Sequence, residues 1–434
     1  MTILSGKGRV RLDGQKGLTK DKPINVIEEP DIVYIPLAFG ASTDVDVHVQ
    51  EGDKVYVGSK IATRTDMYVP VYSPVSGIVK GIEKRMYATG RPQNHLVIEN
   101  NGKQERVKAI DIENPDQLSP KEIVNAIKEL GIVGLGGAGF PTHIKYANPQ
   151  GIETILINGV ECEPYITSDH LVMKRDIKAL FDGTNFLLKA AEAKKAIIAI
   201  KEHKPDVWSM LQEESKNWEN IEPMEVPDRY PMGWERTLIE QVFKKQYDRL
   251  TSEIGVIVNN SSTAIAVSKG LREGKPITHK VTTFSGNAIK NPQNVEVPIG
   301  TPVEYIVKQI GGYADVDAGI VLGGGPMMGK SIMNDQFVIY INNNAITILE
   351  NKAIDDLPCL KCGMCTDHCP AHIQPVKIME AVKGSSKEMM EKLETLRCVE
   401  CGMCTYICPS KIEVTDFVVK GKRHLNLANA RKSK

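Results

Sequence analysis

The 434-residue chain has no run of eighteen apolar residues, and its first fifteen residues, MTILSGKGRVRLDGQ, contain no long apolar stretch. We therefore expect neither a transmembrane helix nor a secretory signal peptide. The formal net charge is zero, because the chain has 54 Lys and Arg residues and 54 Asp and Glu residues. Since nothing global attracts the protein to nucleic acid or anionic lipid, we expect no nucleic acid among its partners.

Cysteine is almost absent from most of the chain. Eight of the nine cysteines lie between residues 359 and 408, and Cys162 is the exception. Because a disulfide framework is not distributed in this way, the pattern predicts a reducing, cytoplasmic location. Two flanking carboxylates, Glu161 and Glu163, would raise the pKa of the Cys162 thiol, so we expect an inert buried residue rather than a redox centre.

The eight clustered cysteines form two repeats of the pattern C-x2-C-x2-C-x3-C-P. This is the spacing of bacterial ferredoxins, in which the fourth cysteine of each repeat ligates the other cluster. Structural zinc is the alternative, although zinc sites usually show separated C-x2-C pairs. We expect His368 and His372 to be solvated or to pack behind the cysteines, and not to bind a cluster themselves. The pattern predicts two 4Fe–4S clusters, one held by Cys359, Cys362, Cys365 and Cys408 and the other by Cys398, Cys401, Cys404 and Cys369.

Iron–sulfur clusters carry single electrons, whereas most metabolic reductants give a hydride, and a flavin can convert one into the other. The stretch GIVGLGGAGFPTHIKY, residues 131–146, follows a predicted helix that begins near Ser119. Its backbone N–H groups can close on an anion, and its lysine adds a positive charge. A tight turn uses the same residue types and is the alternative. The candidate residues of this loop are Gly134, Gly136, Gly137, Gly139 and Lys145.

Four ordered motifs carry a resemblance to known flavoproteins. The string GxGGAGFPTxxK resembles the flavin loop of the NADH-binding, FMN-carrying subunit of respiratory complex I. It is closer still to the C subunit of Rnf-type electron transport complexes, which also ends in two ferredoxin repeats. The other three motifs are INGVECEPYITSDHLVM (157–173), YPMGWERTLIE (230–240) and GVIVNNSSTAIAV (255–267).

The resemblance implies an FMN pocket beside a site for NAD(H). One group of residues would frame or hydrogen-bond FMN: Gly134, Gly136, Gly137, Lys145, Asn158 and Glu161. A second group would close its far side: Tyr230, Gly233, Asn259, Asn260 and Thr263. Phe140 would stack on the dinucleotide, and Glu163 and Glu235 would lie near the nicotinamide. The alternatives are a core position for Phe140 and a simple turn for the asparagine pair.

The chain departs from the family pattern at three places. Trp234 stands where complex I has glutamate and the Rnf subunits favour glycine, and Asn148 replaces an aromatic partner of adenine in complex I. Both changes fall on the dinucleotide side, so they affect NADH more than FMN. The glycine pair followed by His-Pro-Pro in Rnf relatives is replaced by LSGKGRVRLDGQKGL (4–18), in a segment that could contact membrane partners.

The sequence predicts a multidomain α/β protein. After an N-terminal extension (1–29), residues 30–105 are predicted to form a lipoyl-like barrel-sandwich, unmodified because its hairpin tip (65–68) lacks lysine. Residues 116–275 are predicted to form a Rossmann-like α/β FMN domain. A soluble-ligand-binding β-grasp module of the SLBB type (278–345) and an α-helical ferredoxin domain with two 4Fe–4S clusters (352–425) follow.

Two short segments leave a choice of interpretation. GGGPMMG (323–329) is predicted to be a tight loop packed at a domain boundary, and contact with a cofactor or cluster is the alternative. The basic tail (426–434) is expected to be solvated and mobile, with a docking patch for an acidic partner as the alternative.

These features favour an electron-transfer flavoprotein that connects NAD(H), FMN and two 4Fe–4S clusters to a redox partner. The partner would be another electron-transfer subunit, for example in a membrane-bound Rnf-type complex. The alternative is a soluble reductase that acts on amino acids or cobalamin. The protein would be cytoplasmic, either free or peripheral on the cytoplasmic face of the membrane. A scaffold or sensor that has lost its flavin is a third hypothesis, which the intact glycine loop and eight cysteines disfavour.

Overall fold

The computed structural model describes residues 10–37, 44–87, 90–137, 139–316, 319–351 and 355–432. Each of the six predicted segments lies partly outside this set: the N-terminal extension at residues 1–9, the barrel-sandwich at 38–43 and 88–89, the flavin domain at 138, the β-grasp at 317–318, the ferredoxin domain at 352–354 and the basic tail at 433–434. Within the described ranges, no helix combines the length and apolar character that crossing a membrane requires.

Two small antiparallel sheets near the N-terminus sandwich an aliphatic core. Their orders are β2-β8-β7-β4 and β3-β5-β6, and β1 pairs elsewhere. The hairpin tip between β5 and β6 is fixed to the next module, because the Tyr68 hydroxyl donates to Glu129 Oε2 at 3.0 Å. The strands are β1 (Ile24–Val26), β2 (Ile32–Pro36), β3 (Val45–Val47), β4 (Lys54–Val55), β5 (Lys60–Arg64), β6 (Val69–Tyr72), β7 (Gly77–Met86) and β8 (Pro92–Asn100).

A four-stranded parallel sheet of order β11-β10-β9-β12 forms the centre of the second module. Ser119 and Glu122 form a capping box that starts its first helix where the sequence predicts one. Gly183 lets α4 approach α7, since a Cβ there would lie 1.8 Å from Ala264 O. The elements are α1 (Pro120–Glu129), α2 (Thr142–Lys145), β9 (Thr154–Asn158), α3 (Ser168–Arg175), α4 (Ile177–Ala191), β10 (Lys195–Lys201), α5 (Pro205–Ser215), β11 (Ile221–Val226), α6 (Glu235–Phe243), β12 (Val256–Asn260) and α7 (Ser261–Glu273).

The third module is a mixed six-stranded sheet of order β1-β14-β13-β17-β15-β16. Strand β1, in the predicted N-terminal extension, pairs in parallel with β14. The N-terminal extension thus adds an edge strand to a sheet whose other strands lie more than 250 residues further along the chain. Pro302 precedes the helix found among the described residues of this module, as the sequence predicts. The elements are β13 (His279–Ser285), β14 (Gln293–Pro298), α8 (Val303–Gln309), β15 (Gly319–Gly323), β16 (Lys330–Ile332) and β17 (Ala345–Glu350).

The C-terminal module is helical and holds both cysteine repeats. Residues 426–432 of the predicted tail form the last turns of the terminal helix, and residues 426–431 are mostly exposed, which agrees with the expectation of a solvated tail. That helix is anchored just before them by Leu425, which packs with Ala381 and Met390 in a buried cluster. The helices are α9 (Met364–Asp367), α10 (Pro375–Lys383), α11 (Lys387–Lys392), α12 (Met403–Tyr406) and α13 (Val414–Lys432).

Candidate functional site

The glycine-rich loop after α1 folds back on itself. The Gly134 N–H donates to Phe140 O at 2.8 Å, and the Gly139 N–H donates to Gly134 O at 3.0 Å. The Leu135 N–H donates to the fully buried hydroxyl of Thr263 at 2.9 Å. Thr263 therefore ties the loop to the start of α7, which holds it at the carboxyl ends of β9 and β12.

The space above this loop depends on two of its glycines. A Cβ on Gly136 would lie 3.1 Å from Asn260 Cβ, so a larger residue would push against that side chain. Gly137 adopts φ +106°, and no described atom lies within 4 Å of the position that its Cβ would take. The loop thus presents backbone to open space on one side and packs against β12 on the other.

The asparagine pair at the end of β12 makes internal hydrogen bonds. Asn259 is buried and its Nδ2 donates to the Tyr146 hydroxyl at 2.6 Å. Asn260 caps α7, because its Oδ1 accepts the Ser262 N–H at 2.9 Å, and its Nδ2 donates to Asp169. Asn260 faces the glycine loop, whereas Asn259 lies behind it.

Asn158, at the end of β9, locks a second loop in place. Its Nδ2 donates to Gly233 O at 2.9 Å and its Oδ1 accepts the Val160 N–H at 3.0 Å. Gly233 has no room for a side chain, because a Cβ would lie 2.2 Å from Val160 O. Burial raises the pKa of the neighbouring Cys162 thiol to about 11, so this cysteine is neutral at physiological pH.

Lys145 is a buried cation at the base of the glycine loop. Its Nζ donates to Val258 O at 2.6 Å, and burial holds the pKa of its ammonium below the usual value. Glu235, at the start of α6, attracts this charge and thereby opposes the effect of burial. The Glu235 carboxylate itself accepts a hydrogen bond from the Tyr247 hydroxyl at 2.7 Å. The two predicted charged residues therefore act on one another across the site.

Glu161 binds groups of the protein rather than facing the glycine loop. Its Oε1 accepts the Asp169 N–H at 2.9 Å, and its Oε2 pairs with Lys16 Nζ at 3.3 Å. Lys16 also donates to Glu163 O at 3.1 Å. Sequence reasoning missed Lys16, because 145 residues separate it from Glu161 and no local pattern links them.

Glu163 connects the flavin module to the loop GGGPMMG. Its Oε1 accepts the N–H groups of Met327 (2.7 Å) and Met328 (3.0 Å). Burial raises the pKa of this carboxyl, although the two N–H groups act in the opposite direction. A Cβ on Gly325 would lie 2.2 Å from Glu163 Cγ. The loop therefore packs at a boundary with the flavin module, and its Met327 also packs in an apolar cluster with Cys401 of the second cysteine repeat.

Tyr230 joins the flavin module to the second cysteine repeat. Its buried hydroxyl donates to Cys401 O at 2.6 Å. Met327 approaches the same repeat, because a Cβ on Gly402 would lie 2.5 Å from Met327 O. Val10 forms a two-way backbone bridge with Tyr230 and closes the contact from the N-terminal side. The structure thus places the second repeat directly against the flavin module.

The structure gathers the eight repeat cysteines into two sets. Within the described residues no group of His, Cys, Asp or Glu is arranged to hold a single metal ion, and each set surrounds a cavity instead. In both repeats a backbone N–H two residues on donates to the first sulfur at 3.4 Å. One cavity, of about 200 Å³, is lined by Cys359, Cys362, Cys365 and Cys408. The other, smaller cavity is lined by Cys369, Cys398, Cys401 and Cys404.

The residues expected on the dinucleotide side differ in exposure. Phe140 is 39% exposed, so it lies at the surface rather than in the core. Asn148 is exposed, and Trp234 is half-buried at the start of α6. The ring of Phe140 is therefore accessible to a bound ring.

The residues present fit FMN. Three buried polar atoms on the segments around the glycine loop have no partner among the described residues: Trp234 Nε1, Thr142 Oγ1 and Ser261 Oγ. Buried polar groups without partners are costly, so a polar ligand would stabilise them. FMN offers ring carbonyls, ribityl hydroxyls and a phosphate, and Lys145 and the loop N–H groups complement its negative charge.

The packing of the second repeat gives a matched pair of glycine substitutions. Gly363 and Gly402 both have φ between +75° and +79°, but only Gly402 contacts another module. Alanine would be strained equally by the positive φ at both positions, but at Gly402 its Cβ would also clash with Met327 O. Gly402→Ala should therefore destabilise the protein by about 1–3 kcal/mol more than Gly363→Ala. Thermal unfolding of both variants measures this difference. Equal melting temperatures would contradict the contact with Met327.

Four family models match the chain in the order of its modules. They are the RnfC barrel sandwich hybrid domain (4–103), the Nuo51 FMN-binding domain (127–269), the SLBB domain (281–331) and the 4Fe-4S dicluster domain (358–413). The expected fold class is confirmed by this order and by the sheets and helices described above.

Similar proteins include components of ion-translocating complexes. The C subunit of the proton-translocating ferredoxin:NAD(+) oxidoreductase complex of Clostridium ljungdahlii is 33% identical over 86% of this chain and 83% of its own. The C subunit of the Na(+)-translocating ferredoxin:NAD(+) oxidoreductase complex of Acetobacterium woodii is 32% identical over 90% of this chain and 89% of its own. A crystal structure of an NAD+-reducing [NiFe]-hydrogenase, in its air-oxidized state, shares the fold with a TM-score of 0.52, at 18% identity over 69% of this chain and 63% of the other.

Proposed function

The chain belongs to the family of Rnf-type C subunits, and from this membership we propose how its residues carry electrons between NAD(H), FMN and two 4Fe–4S clusters. It is an NADH-linked oxidoreductase subunit of the electron-transfer flavoprotein class. FMN exchanges electron pairs with nicotinamide and single electrons with iron–sulfur centres. The chain itself positions these groups, excludes water from them and sets their electrostatic surroundings.

The observation that carries this proposal is the contact between Tyr230 and Cys401 at 2.6 Å. It joins the loop that carries Gly233 and Glu235 to a predicted cluster ligand, and Glu235 in turn attracts the charge of Lys145 in the proposed flavin site. The cluster of the second repeat would therefore exchange electrons with the flavin. The set that includes Cys362 would lie farther along the path, towards a partner.

The residues on the flavin side divide into ligands and supports. We assign direct contact with FMN to the glycine loop, which has open space above Gly137. We assign it also to Asn260, which adjoins Gly136, and to Lys145, which donates to Val258 O on the neighbouring strand β12. Asn158, Asn259, Glu161 and Thr263 hold the strands and loops around them through the internal hydrogen bonds described above. Phe140 and Glu235 border the region where the dinucleotide would approach.

The surface beside the first repeat is the proposed exit for electrons. Cys362 is exposed, and the nearby Leu357 and Leu360 are 61% and 67% exposed. Exposed apolar side chains beside a cluster suit a transient redox partner. The proposed partner is another electron-transfer subunit of an Rnf-type complex, which would place the chain peripherally on the cytoplasmic face of a membrane. Copurification with membrane subunits rather than with a soluble reductase would support this assignment.

An anaerobic titration tests the proposed function. Protein reconstituted with FMN, iron and sulfide is expected to lose its flavin absorbance on addition of NADH, followed by reduction of the clusters. The readouts are the visible spectrum and the electron paramagnetic resonance (EPR) spectrum of the clusters. Fully loaded protein that is not bleached by NADH or by NADPH would contradict the proposal.

A further inference from the structure

A second cavity lies where three modules meet, apart from Lys145, Gly233 and the cysteines. It has a volume of about 480 Å³, within the range of small-molecule sites. The barrel-sandwich contributes Val57, and residues 106–108 come from the segment that follows it. The flavin module contributes faces of α3 and α7, and the β-grasp contributes the start of β13.

The walls of this cavity are largely aliphatic. Val172 and Ile265 come from α3 and α7, and Ile277 and Val281 come from the segment that enters the β-grasp sheet. Burying apolar ligand surface against such walls contributes roughly 25 cal/mol per Å². The walls therefore favour a ligand with an apolar body.

Lys280 places a positive charge in the same cavity. The residue is 5% exposed, and among the described residues its Nζ donates one hydrogen bond, 3.5 Å long, to Leu135 O. An ammonium has three protons to donate, so Lys280 is largely unsatisfied. Asp169 attracts it, but the Asp169 carboxylate already accepts from Asn260 (2.8 Å) and Ser262 (2.6 Å). Burial lowers the pKa of Lys280 to about 8, which leaves it mostly protonated near neutral pH.

The acidic groups of the lining do not neutralise this lysine. Asp176 pairs with Lys269 at 2.7 Å and with Arg175 at 3.0 Å, and Glu296 pairs with Arg175 at 2.8 Å. Glu273 pairs with Lys275. Two further cations, Arg106 and Lys108, lie at the exposed rim. The described lining therefore has an excess of positive charge, with the least satisfied cation at its buried end.

We propose that this cavity binds a small organic anion, with its acidic group on Lys280 and its apolar body against the aliphatic walls. A buried charge without a partner is costly, and an anionic ligand would remove that cost. The cavity adjoins the flavin site through Leu135 and Asp169, but its lining includes none of the glycines, Lys145 or Asn260 assigned to FMN, so we expect both ligands to bind together. Binding of this anion depends on neither the direction of electron flow nor the redox partner.

Calorimetric titration of the FMN- and cluster-loaded protein with octanoate and with octan-1-ol tests the site, since the two probes differ mainly in charge. Octanoate is expected to bind at least about tenfold more tightly, because a hydrogen bond to a charged group contributes roughly 1.5–3 kcal/mol. In Lys280→Met the octanoate affinity should fall to that of the alcohol, while binding of the alcohol is unchanged. Lys103→Met, at an exposed position outside the cavity, is the matched control and should behave as the wild type.

A second variant, at the entrance of the cavity, tests ligand binding without changing the buried lysine. Val107 is 41% exposed at the rim, so Val107→Trp should fold normally and weaken both probes by obstructing the entrance. Equal affinity of the two probes for the wild type, or undiminished octanoate binding by Lys280→Met, would overturn the proposal. Loss of FMN from Lys280→Met would also overturn it, because Lys280 would then belong to the flavin site.

Discussion

The double variant Cys359→Ala/Cys408→Ala is expected to keep one iron–sulfur cluster, whereas Cys359→Ala/Cys369→Ala is expected to lose both. The reason is the exchange of fourth ligands between the repeats, which places Cys408 beside Cys359 and leaves Cys369 with the other set. The first variant should contain about four irons per chain, and the second close to none. Iron analysis and EPR of the reduced protein measure the difference.

The cysteine outside the repeats provides the control for this experiment. Cys162→Ala removes a buried neutral thiol and should leave both clusters intact. If each repeat instead held a complete cluster by itself, the iron contents of the two double variants would be reversed. That outcome would contradict the crossed arrangement.

Lys145→Met is expected to weaken FMN binding by roughly tenfold to a hundredfold, the effect of losing a charged hydrogen bond of about 1.5–3 kcal/mol. Among the described residues the buried ammonium donates to Val258 O at 2.6 Å, and Glu235 attracts its charge. Methionine has a similar length and keeps an apolar side chain in place while it removes the charge and the hydrogen bond to Val258 O, so the fold should persist. Fluorescence titration of the apo-flavoprotein with FMN gives the dissociation constant.

Two further measurements show whether the effect is specific to the flavin. The iron content of Lys145→Met should equal that of the wild type, because the cysteine sets lie in another module. Lys103→Met removes a charge from an exposed position and should not change FMN affinity. Wild-type affinity in Lys145→Met would contradict the assignment of this lysine to the flavin site.

The sequence predicts the parts of the protein whose determinants are local. The cysteine spacing indicates both cluster sets, because ligand geometry is a property of a short segment. The capping box at Ser119 and Glu122 likewise fixes the start of α1, and four ordered motifs indicate the flavin module. The order of modules follows from motifs that each occupy a continuous stretch of chain.

The contacts between distant segments were not predictable in this way. Lys16 reaches Glu161, Tyr230 reaches Cys401, and β1 pairs with β14, in each case across more than 140 residues. None of these pairings leaves a periodic or spaced pattern. The family resemblance places Tyr230 on the far side of the FMN pocket, and it gives no sign that the Tyr230 hydroxyl donates a hydrogen bond to Cys401 O in the second repeat. The connection between the two redox modules therefore depends on tertiary packing.

Rapid-mixing EPR of two single-cluster variants tests most directly whether the flavin module exchanges electrons with the cluster of the second repeat. Cys359→Ala/Cys408→Ala retains that cluster, and Cys398→Ala/Cys369→Ala retains the other one. On mixing with NADH, the retained cluster should be reduced at close to the wild-type rate in the first variant and far more slowly in the second, because electron transfer slows steeply with distance. Equal rates, or faster reduction in the second variant, would contradict the contact through Tyr230 as the point of electron exchange.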